Sequence, residues 1–567
     1  MAISFISGLM FRTYLCLAAF LLAASVSAQQ QKKTVQELAR QMVAERGEVI
    51  LRFAKPTAWG LDFLTSFMSI DNYQHDTVTA YVNEAGLNRF LTLGIPYRLL
   101  QPPSLGKDFQ TKRRQAVGDW RNRYPAYAEY IDLMEGFAAD YPNICRIIQF
   151  GTSINGHKLL ALKITDNPGI RENEPVVLLT STIHGDEPLG FVLMLRLIDY
   201  LLENYGTRNQ VNNLVNQVET WINPLANPDG AYFFSDTSLA GATRFNAQQE
   251  DLNRNFPDPQ DPLWEGRLRE PETMAMMNFM EDIHVVLAAN FHGGAEVVNY
   301  PWDTWIRLHA DDMWYRKISR AYADTAQSYG PAGYMTFLDN GITNGHAWYP
   351  VYGGRQDYTN FFRRAREVTI ELSDVKIPPE NNLEDYWNYN RQSLLQYISQ
   401  SLTGITGIVS DSITGQALVA EVRIKNHDFD SSFVLSSSAT GIYYRLLEER
   451  KYLINLRARG YREKNLSVQV SQGALTRLDA SLQPVVTSSL FPNPFINRLY
   501  LYIDEPGNDL TAEFFDLSGR KHLQIKQPVV SAGILEIKTD GIIGGIYVVK
   551  ITYGNEVRRQ VVVCRKF

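Results

Sequence analysis

The sequence predicts an α/β protein. Its central domain, residues 116–402, is flanked by a small N-terminal α/β unit at 29–115 and by two C-terminal β-sandwich modules at 403–483 and 488–567. Three observations predict this. Between 116 and 402, apolar runs that fit buried strands alternate with amphipathic helical stretches. After residue 403 helical periodicity stops, and short strands are separated by turn signals such as Asp411-Ser412-Ile413-Thr414-Gly415, Ala439-Thr440-Gly441 and Ala458-Arg459-Gly460. At the front, Pro102-Pro103 and the basic cluster Lys112-Arg113-Arg114 close a short run of helix and strand patterns.

Taken in chain order, Arg12, a largely apolar run from Tyr14 to Val26 and the small-residue end Val26-Ser27-Ala28 form the pattern of a secretory signal peptide, cleaved after Ala28. A membrane anchor is the alternative, disfavoured by the short apolar core. Thr34 with Glu37 makes a capping box ahead of the helical set Val35, Leu38 and Met42, followed by a strand over Glu48–Phe53. A second strand, Thr77–Val82, runs into a helix opened by Asn83, and Pro96–Leu100 reads as a third strand. This unit is an inhibitory propeptide, a permanent accessory domain or a folding chaperone. Its place ahead of the central domain, with a basic cluster at its end, favours the propeptide. The cluster itself reads equally as a processing site and as a solvated linker. In the central domain, helices are predicted at Tyr127–Ala139 and Gly190–Leu202, with buried strands at Val176–Thr182, Val285–Phe291 and Val368–Leu372.

Composition narrows the function. Lys+Arg 55 against Asp+Glu 61 leaves a net charge of −6, too balanced for a protein that binds nucleic-acid phosphates. Hydrophobic residues at 45% and charged residues at 20% exclude a disordered chain. After the signal, no apolar stretch is long enough to span a bilayer. Three cysteines exclude a disulfide-stapled scaffold; Cys16 leaves with the signal, and Cys145 and Cys564 are expected to be free.

The sharpest chemical feature is Thr182-Ile183-His184-Gly185-Asp186-Glu187-Pro188, where a buried strand ends and a helix begins. His184 and Glu187, three apart on such a loop, can point at one metal ion, and ligands in open α/β sheets gather at the carboxyl ends of strands. A second strand delivers His292, followed by Gly293-Gly294. His-Glu-His plus water is a catalytic zinc set with an open fourth position. The strand Val368-Thr369-Ile370-Glu371-Leu372 places a lone carboxylate among apolar neighbours, which marks Glu371 as a candidate general base. Arg254, in the polar loop Asp251–Pro257, offers a planar fork for a carboxylate, and Arg244 can stabilise an oxyanion. A surface ion pair is the competing reading for either arginine alone.

These residues fall within blocks that resemble the N/E-type zinc metallocarboxypeptidases over residues 116–483. In order they are His184-Gly-Asp-Glu187-Pro, Asn223-Pro-x-x-Asn227-Pro-Asp-Gly230, Arg244-Phe-Asn246-Ala, Asp251-Leu-Asn253-Arg254-Asn-Phe-Pro257, Asn290-Phe-His292-Gly-Gly, Asn299-Tyr-Pro-Trp-Asp303, Asn344-Gly-x-x-Trp348-Tyr349, Gly354-Arg-Gln356-Asp and Glu367-Val-Thr-Ile-Glu371-Leu. The resemblance implies a mixed-sheet carboxypeptidase domain followed by a transthyretin-like β-sandwich, with one Zn2+ held by His184, Glu187 and His292. It implies Glu371 as general base, Arg244 polarising the scissile carbonyl, Asn253 and Arg254 gripping the substrate's C-terminal carboxylate, and Tyr349 closing over the bound residue. Asp303 and Gln356 fall where the subfamily recognises a C-terminal Arg or Lys, and a carboxylate in a partly desolvated pocket favours a cation.

Two residues depart from the pattern. Arg355 stands where Met is expected and would oppose a basic substrate if it faced the pocket; Glu296 replaces an aliphatic residue and would add negative charge. One or both are expected at solvent. The remaining histidines read as surface or core residues. His284, three after Glu281, precedes its strand and lies at the far end from His292.

Gly404-Ile-Thr-Gly-Ile-Val409, Ala439-Thr-Gly-Ile-Tyr443 and Ala458-Arg-Gly-Tyr461 carry the transthyretin-like resemblance. Phe491-Pro-Asn-Pro494, Phe515-Asp-Leu-Ser-Gly-Arg520 and Gly544-Gly-Ile-Tyr547, with Lys550, resemble the C-terminal sorting domain of type IX secretion in Gram-negative bacteria, with a plain adhesion sandwich as the alternative. The expectation is an extracellular or surface-anchored zinc carboxypeptidase acting on peptide C-termini and exported by that machinery. Two alternatives stand beside it: a non-catalytic peptide- or surface-binding protein on the same fold, and a zinc amidase on cell-wall peptides, against which the Asn253-Arg254 pair and Asp303 argue.

Overall fold

The computed structural model describes residues 34–106, 120–261, 266–484, 490–503, 507–531, 533–553 and 556–566. The signal-peptide segment and Lys112-Arg113-Arg114 lie outside the described residues. The chain separates into two compact units, the first running to Leu402 and taking in Phe429–Ser432, the second formed by the rest from Thr403 onward.

In the first unit, Thr34 caps helix α1 (Val35–Arg46) through the expected reciprocal capping box with Glu37. An antiparallel sheet follows, built from β1 (Val49–Ala54), β2 (Ser69–Gln74), β3 (Thr77–Val82) and β4 (Arg98–Leu100) in the order β2-β3-β1-β4. Helix α2 (Glu84–Thr92), capped by Asn83, packs on it. Strand β2 has no apolar alternation (Ser-Ile-Asp-Asn-Tyr-Gln) and was not legible from the sequence.

The central sheet has eight strands: β5 (Cys145–Thr152), β6 (Lys158–Ile164), β7 (Val176–Ser181), β8 (Glu219–Asn223), β9 (Leu287–His292), β10 (Ala295–Tyr300), β11 (Ile342–Asn344) and β12 (Arg366–Ser373). Their order is β11-β10-β12-β9-β7-β8-β6-β5. The sheet is mixed, as predicted. Strands β12, β9, β7 and β8 run parallel, whereas β10 joins β12, and β6 joins both β8 and β5, in antiparallel fashion. Helix α3 (Leu189–Asn204) is buried at every position from Leu189 to Ile198, as a helix apolar all round must be. Its buried Arg196 pairs with Glu384 at 2.7 Å.

The parallel trio β12-β9-β7 positions the site. Parallel neighbours end at the same sheet edge, and in this register Glu371 lies opposite His292 while Phe291 lies opposite Ser181. Past Ser181 the chain must turn sharply. Thr182 sits in the left-handed region at φ 59°, a strained conformation for a β-branched residue, held where its carbonyl accepts from Asn227 N–H at 3.0 Å. A Cβ at Gly185 would lie 2.1 Å from the backbone of Gly230, so only glycine lets this loop pack on the neighbouring turn.

Among its described residues the second unit is all β. Strands within residues 404–482 enclose a core around Ile405, Val422 and Ile454, and strands within 498–564 enclose another around Leu499, Phe514 and Val549. Among the described residues no helix is long and apolar enough to cross a membrane.

Gly185→Ala is expected to lower stability by about 1–3 kcal/mol or more, read as a fall in the denaturant midpoint, because backbone rather than a flexible side chain opposes the added methyl.

Candidate active site

His184, Glu187 and His292 converge. Glu187 Oε2 lies 3.0 Å from His184 Nδ1 and 2.8 Å from His292 Nδ1, and the two ring nitrogens are 3.1 Å apart. Two imidazole nitrogens and one carboxylate oxygen facing a single point form the donor set of a metal ion, and the residues fit a zinc centre. Burial pushes His292 down to about 4, which keeps its ring neutral as ligation requires. Outer partners orient the two rings: Asp251 Oδ1 lies 3.1 Å from His184 Nε2, and the amide of Asn290 lies 2.8 Å from His292 Nε2.

Glu371 lines the same cleft, and its Oε2 is buried without a hydrogen-bond partner. Burial, and then repulsion from Glu187, pushes its carboxyl well above the usual carboxylate range. Arg244 is fixed by Asp251, with Nε donating to Oδ2 at 3.0 Å, and its Nη1 stands 3.4 Å from Glu187 Oε1.

A pocket opens beside this centre. Asp303 Oδ1 accepts from Asn299 Nδ2 at 3.1 Å and Gln356 Nε2 at 3.0 Å. Burial raises the Asp303 carboxyl to about 7 against the opposing Asn299 hydrogen bond and the Arg254 charge; Glu367 and Asp258 push the same way as burial. A Cβ at Gly345 would sit 1.7 Å from Asp303 Oδ1, so glycine there keeps the pocket open. Asn253, Arg254 and Tyr349 line the cleft, and the Arg254 guanidinium donates to Asn253 O at 2.9 Å. Every sequence-derived site residue therefore lies around one cleft; Gln356 is the one that reaches it through Asp303 rather than as lining.

Of the two departures, Arg355 is neither in the pocket nor at solvent. It is completely buried, with Nη2 3.1 Å from Glu367 Oε2 and Nη1 bonded to Thr180 Oγ1, so its charge is spent beneath the sheet edge. Glu296 is half-buried in a separate groove with Tyr334 and Tyr386, accepting from Met335 N–H at 3.2 Å. Sequence reasoning missed Lys376, whose Nζ lies 2.5 Å from Glu187 Oε1, and Asp71, which reaches the cleft from strand β2. It also left Asp251 without a role. A ligand histidine commonly takes a carboxylate partner, but linear spacing does not say which acid supplies it.

Comparison with known proteins gives the lineage. Residues 130–393 match the zinc carboxypeptidase family model, and residues 489–564 match a secretion system C-terminal sorting domain. The catalytic chain of human carboxypeptidase N is 32% identical over 404 residues, which cover 86% of its length and 64% of this chain. The chain belongs to the zinc carboxypeptidase family. Within that family, mouse carboxypeptidase D is 38% identical over 365 residues, 60% of this chain, and the match spans about a quarter (26%) of its length. A solved carboxypeptidase A from Helicoverpa armigera superposes with a TM-score of 0.50 at 18% identity, covering 63% of this chain and 97% of its own, which shows a zinc carboxypeptidase fold.

Arg355→Met is expected to cost about 3–5 kcal/mol, because it leaves Glu367 as a buried, unpaired charge. Replacing Glu367 by Gln as well is expected to recover much of that loss in denaturation measurements.

Proposed function

We propose that this chain is a zinc carboxypeptidase that removes C-terminal residues from peptides and prefers Arg or Lys. The observation that carries the reading is a His-Glu-His donor set, with contacts of 2.8–3.1 Å, sharing one cleft with an unpartnered Glu371 oxygen and a buried Asp303 carboxylate. His184, Glu187 and His292 would hold zinc, which supplies Lewis-acid polarisation.

The chain's own residues supply the rest. Arg254 pairs with the free carboxylate of the substrate, which makes the enzyme an exopeptidase, and the Asn253 side chain sits beside it. Asp303, held by Asn299 and Gln356, presents a carboxylate to a guanidinium or ammonium. Glu371 takes the proton from the attacking water and returns it to the leaving amine, while Arg244 faces the charge that develops on the carbonyl oxygen. Tyr349, on the cleft wall, closes over the bound residue. The sorting domain supports export by type IX secretion to the outside or surface of a Gram-negative cell. The strands of 404–482, with a core of their own, support a transthyretin-like structural module.

Matched blocked dipeptides ending in Arg, Lys, Phe, Leu and Glu, assayed with and without a chelator, test the reading. Chelator-sensitive release of Arg and Lys is expected to dominate; equal release of Leu or Phe would remove Asp303 as the selector. Glu371→Gln is expected to lower kcat by about 10²–10⁴-fold with little change in metal content. Because Asp303 attracts a cation only when ionised, the kcat/KM ratio for Arg over Leu is expected to rise between about pH 6 and pH 8, through its value of about 7. A flat ratio, or one that falls, would contradict the assignment.

A further inference from the structure

Glu296 belongs to a second site. Ala295 lines the catalytic cleft, whereas Glu296, next along β10, lines a separate groove, as successive strand residues face opposite sides of a sheet. The groove is walled further by Tyr334 and by Asp385, Tyr386 and Tyr389 of the helix Leu383–Ser399. Tyr386 and Tyr389 stand three apart and Asp385 and Tyr389 four apart, so one helix face carries all three. The rings pack on one another: Tyr334 lies 5.1 Å from Tyr389 and 6.0 Å from Tyr386, and Tyr386 lies 5.8 Å from Tyr389. Tyr334 is anchored, its hydroxyl donating to Leu372 O at 2.9 Å and accepting from Asn390 Nδ2 at 2.7 Å.

The groove is negative and uncompensated. Among the described residues no Lys or Arg lines it, and none forms a salt bridge with Glu296, Asp385 or the nearby Asp374. Burial pushes the Glu296 carboxyl up against the opposing Met335 hydrogen bond, and Asp374 pushes the same way as burial. Burial, then Glu296 and Asp374, push the Tyr386 hydroxyl up to about 12, so the negative field falls on the aromatic wall as well. Tyrosine faces attract cations, and carboxylates accept hydrogen bonds from N–H donors. A cation that carries N–H groups satisfies both, whereas a quaternary ammonium has no hydrogen to give Glu296. Lys and Arg side chains add an apolar stem that packs along aromatic rings.

We propose that the groove formed by Glu296, Tyr334, Asp385, Tyr386 and Tyr389 binds a Lys or Arg side chain of a peptide, apart from the residue being cleaved. The proposal rests on the carboxypeptidase reading above for its source of peptides. It gives the molecule two places that select a basic side chain, one at Asp303 in the cleft and one at Glu296 behind it.

The test titrates the full chain calorimetrically with acetyl-Gly-Gly-Lys-Gly-Gly amide, with its Arg and norleucine counterparts, and with tetramethylammonium. Both peptide ends are blocked, so no carboxylate is offered to Arg254. The Lys and Arg peptides are expected to bind at least about 10-fold more tightly than the norleucine peptide or tetramethylammonium. Glu296→Gln and Tyr386→Leu are each expected to weaken that binding at least about 5-fold, and Asp303→Asn to leave it within about twofold. Equal binding of the Lys and norleucine peptides, or a loss in Asp303→Asn alone, would overturn the proposal. Tighter binding of tetramethylammonium would also overturn it and give the groove to small quaternary ions. Chelator-sensitive cleavage of an Arg-ending blocked dipeptide separates the two readings. Groove binding without such cleavage would uphold the groove and overturn the peptidase; cleavage without groove binding would do the reverse.

Discussion

Buried charge is the constraint on which this molecule is organised. Arg244, His184, Glu187, Asp186, Asp251 and Lys376 are all packed away from water within one cluster, with Glu371 half-buried beside them, and an isolated ion in such a place costs several kcal/mol. The cluster is tolerable because its members answer one another. Asp251 bridges His184 and Arg244, Glu187 meets both histidines and Lys376, and Asp71 completes the coordination of Arg244 and Lys376. Glu371 is the exception, with an oxygen left unpaired.

The sheet is what makes this cluster possible. Parallel neighbours deliver the chain to one edge, so residues from three strand ends meet without long connecting loops. The antiparallel return through β10 then carries Asn299, and just beyond it Asp303, to the side of the His-Glu-His cluster. The tight features of this edge, Thr182 in the left-handed region and the close approach at Gly185, are held in place by the packed sheet and the buried helix behind them.

Legibility from sequence followed the range of the cause. The capping box of Thr34 and Glu37, the strand at Thr77–Val82 and the buried runs around Leu178 and Ile370 are local patterns, and each appears in the structure within a residue or two of its predicted bounds. Strand β2 carries no such pattern, because its polar residues are organised by the hairpin and by the cleft it enters. Arg355 was misplaced for the same reason. Its partner Glu367 lies on β12, and nothing in the order Gly354-Arg355-Gln356 says that the side chain turns under the sheet.

By itself the sequence determined the donor types and their order: a histidine and a glutamate three apart at a strand end, a second histidine after an apolar run, and a lone glutamate within another. Side-chain chemistry and strand periodicity are properties of the chain, so these could be read directly. Only the tertiary structure decided which charges pair. Asp71 reaches Arg244 across 173 residues of sequence, through a one-residue bulge that no composition or spacing announces. Electrostatic partnership depends on distance in space, and that distance exists only once the sheet has formed.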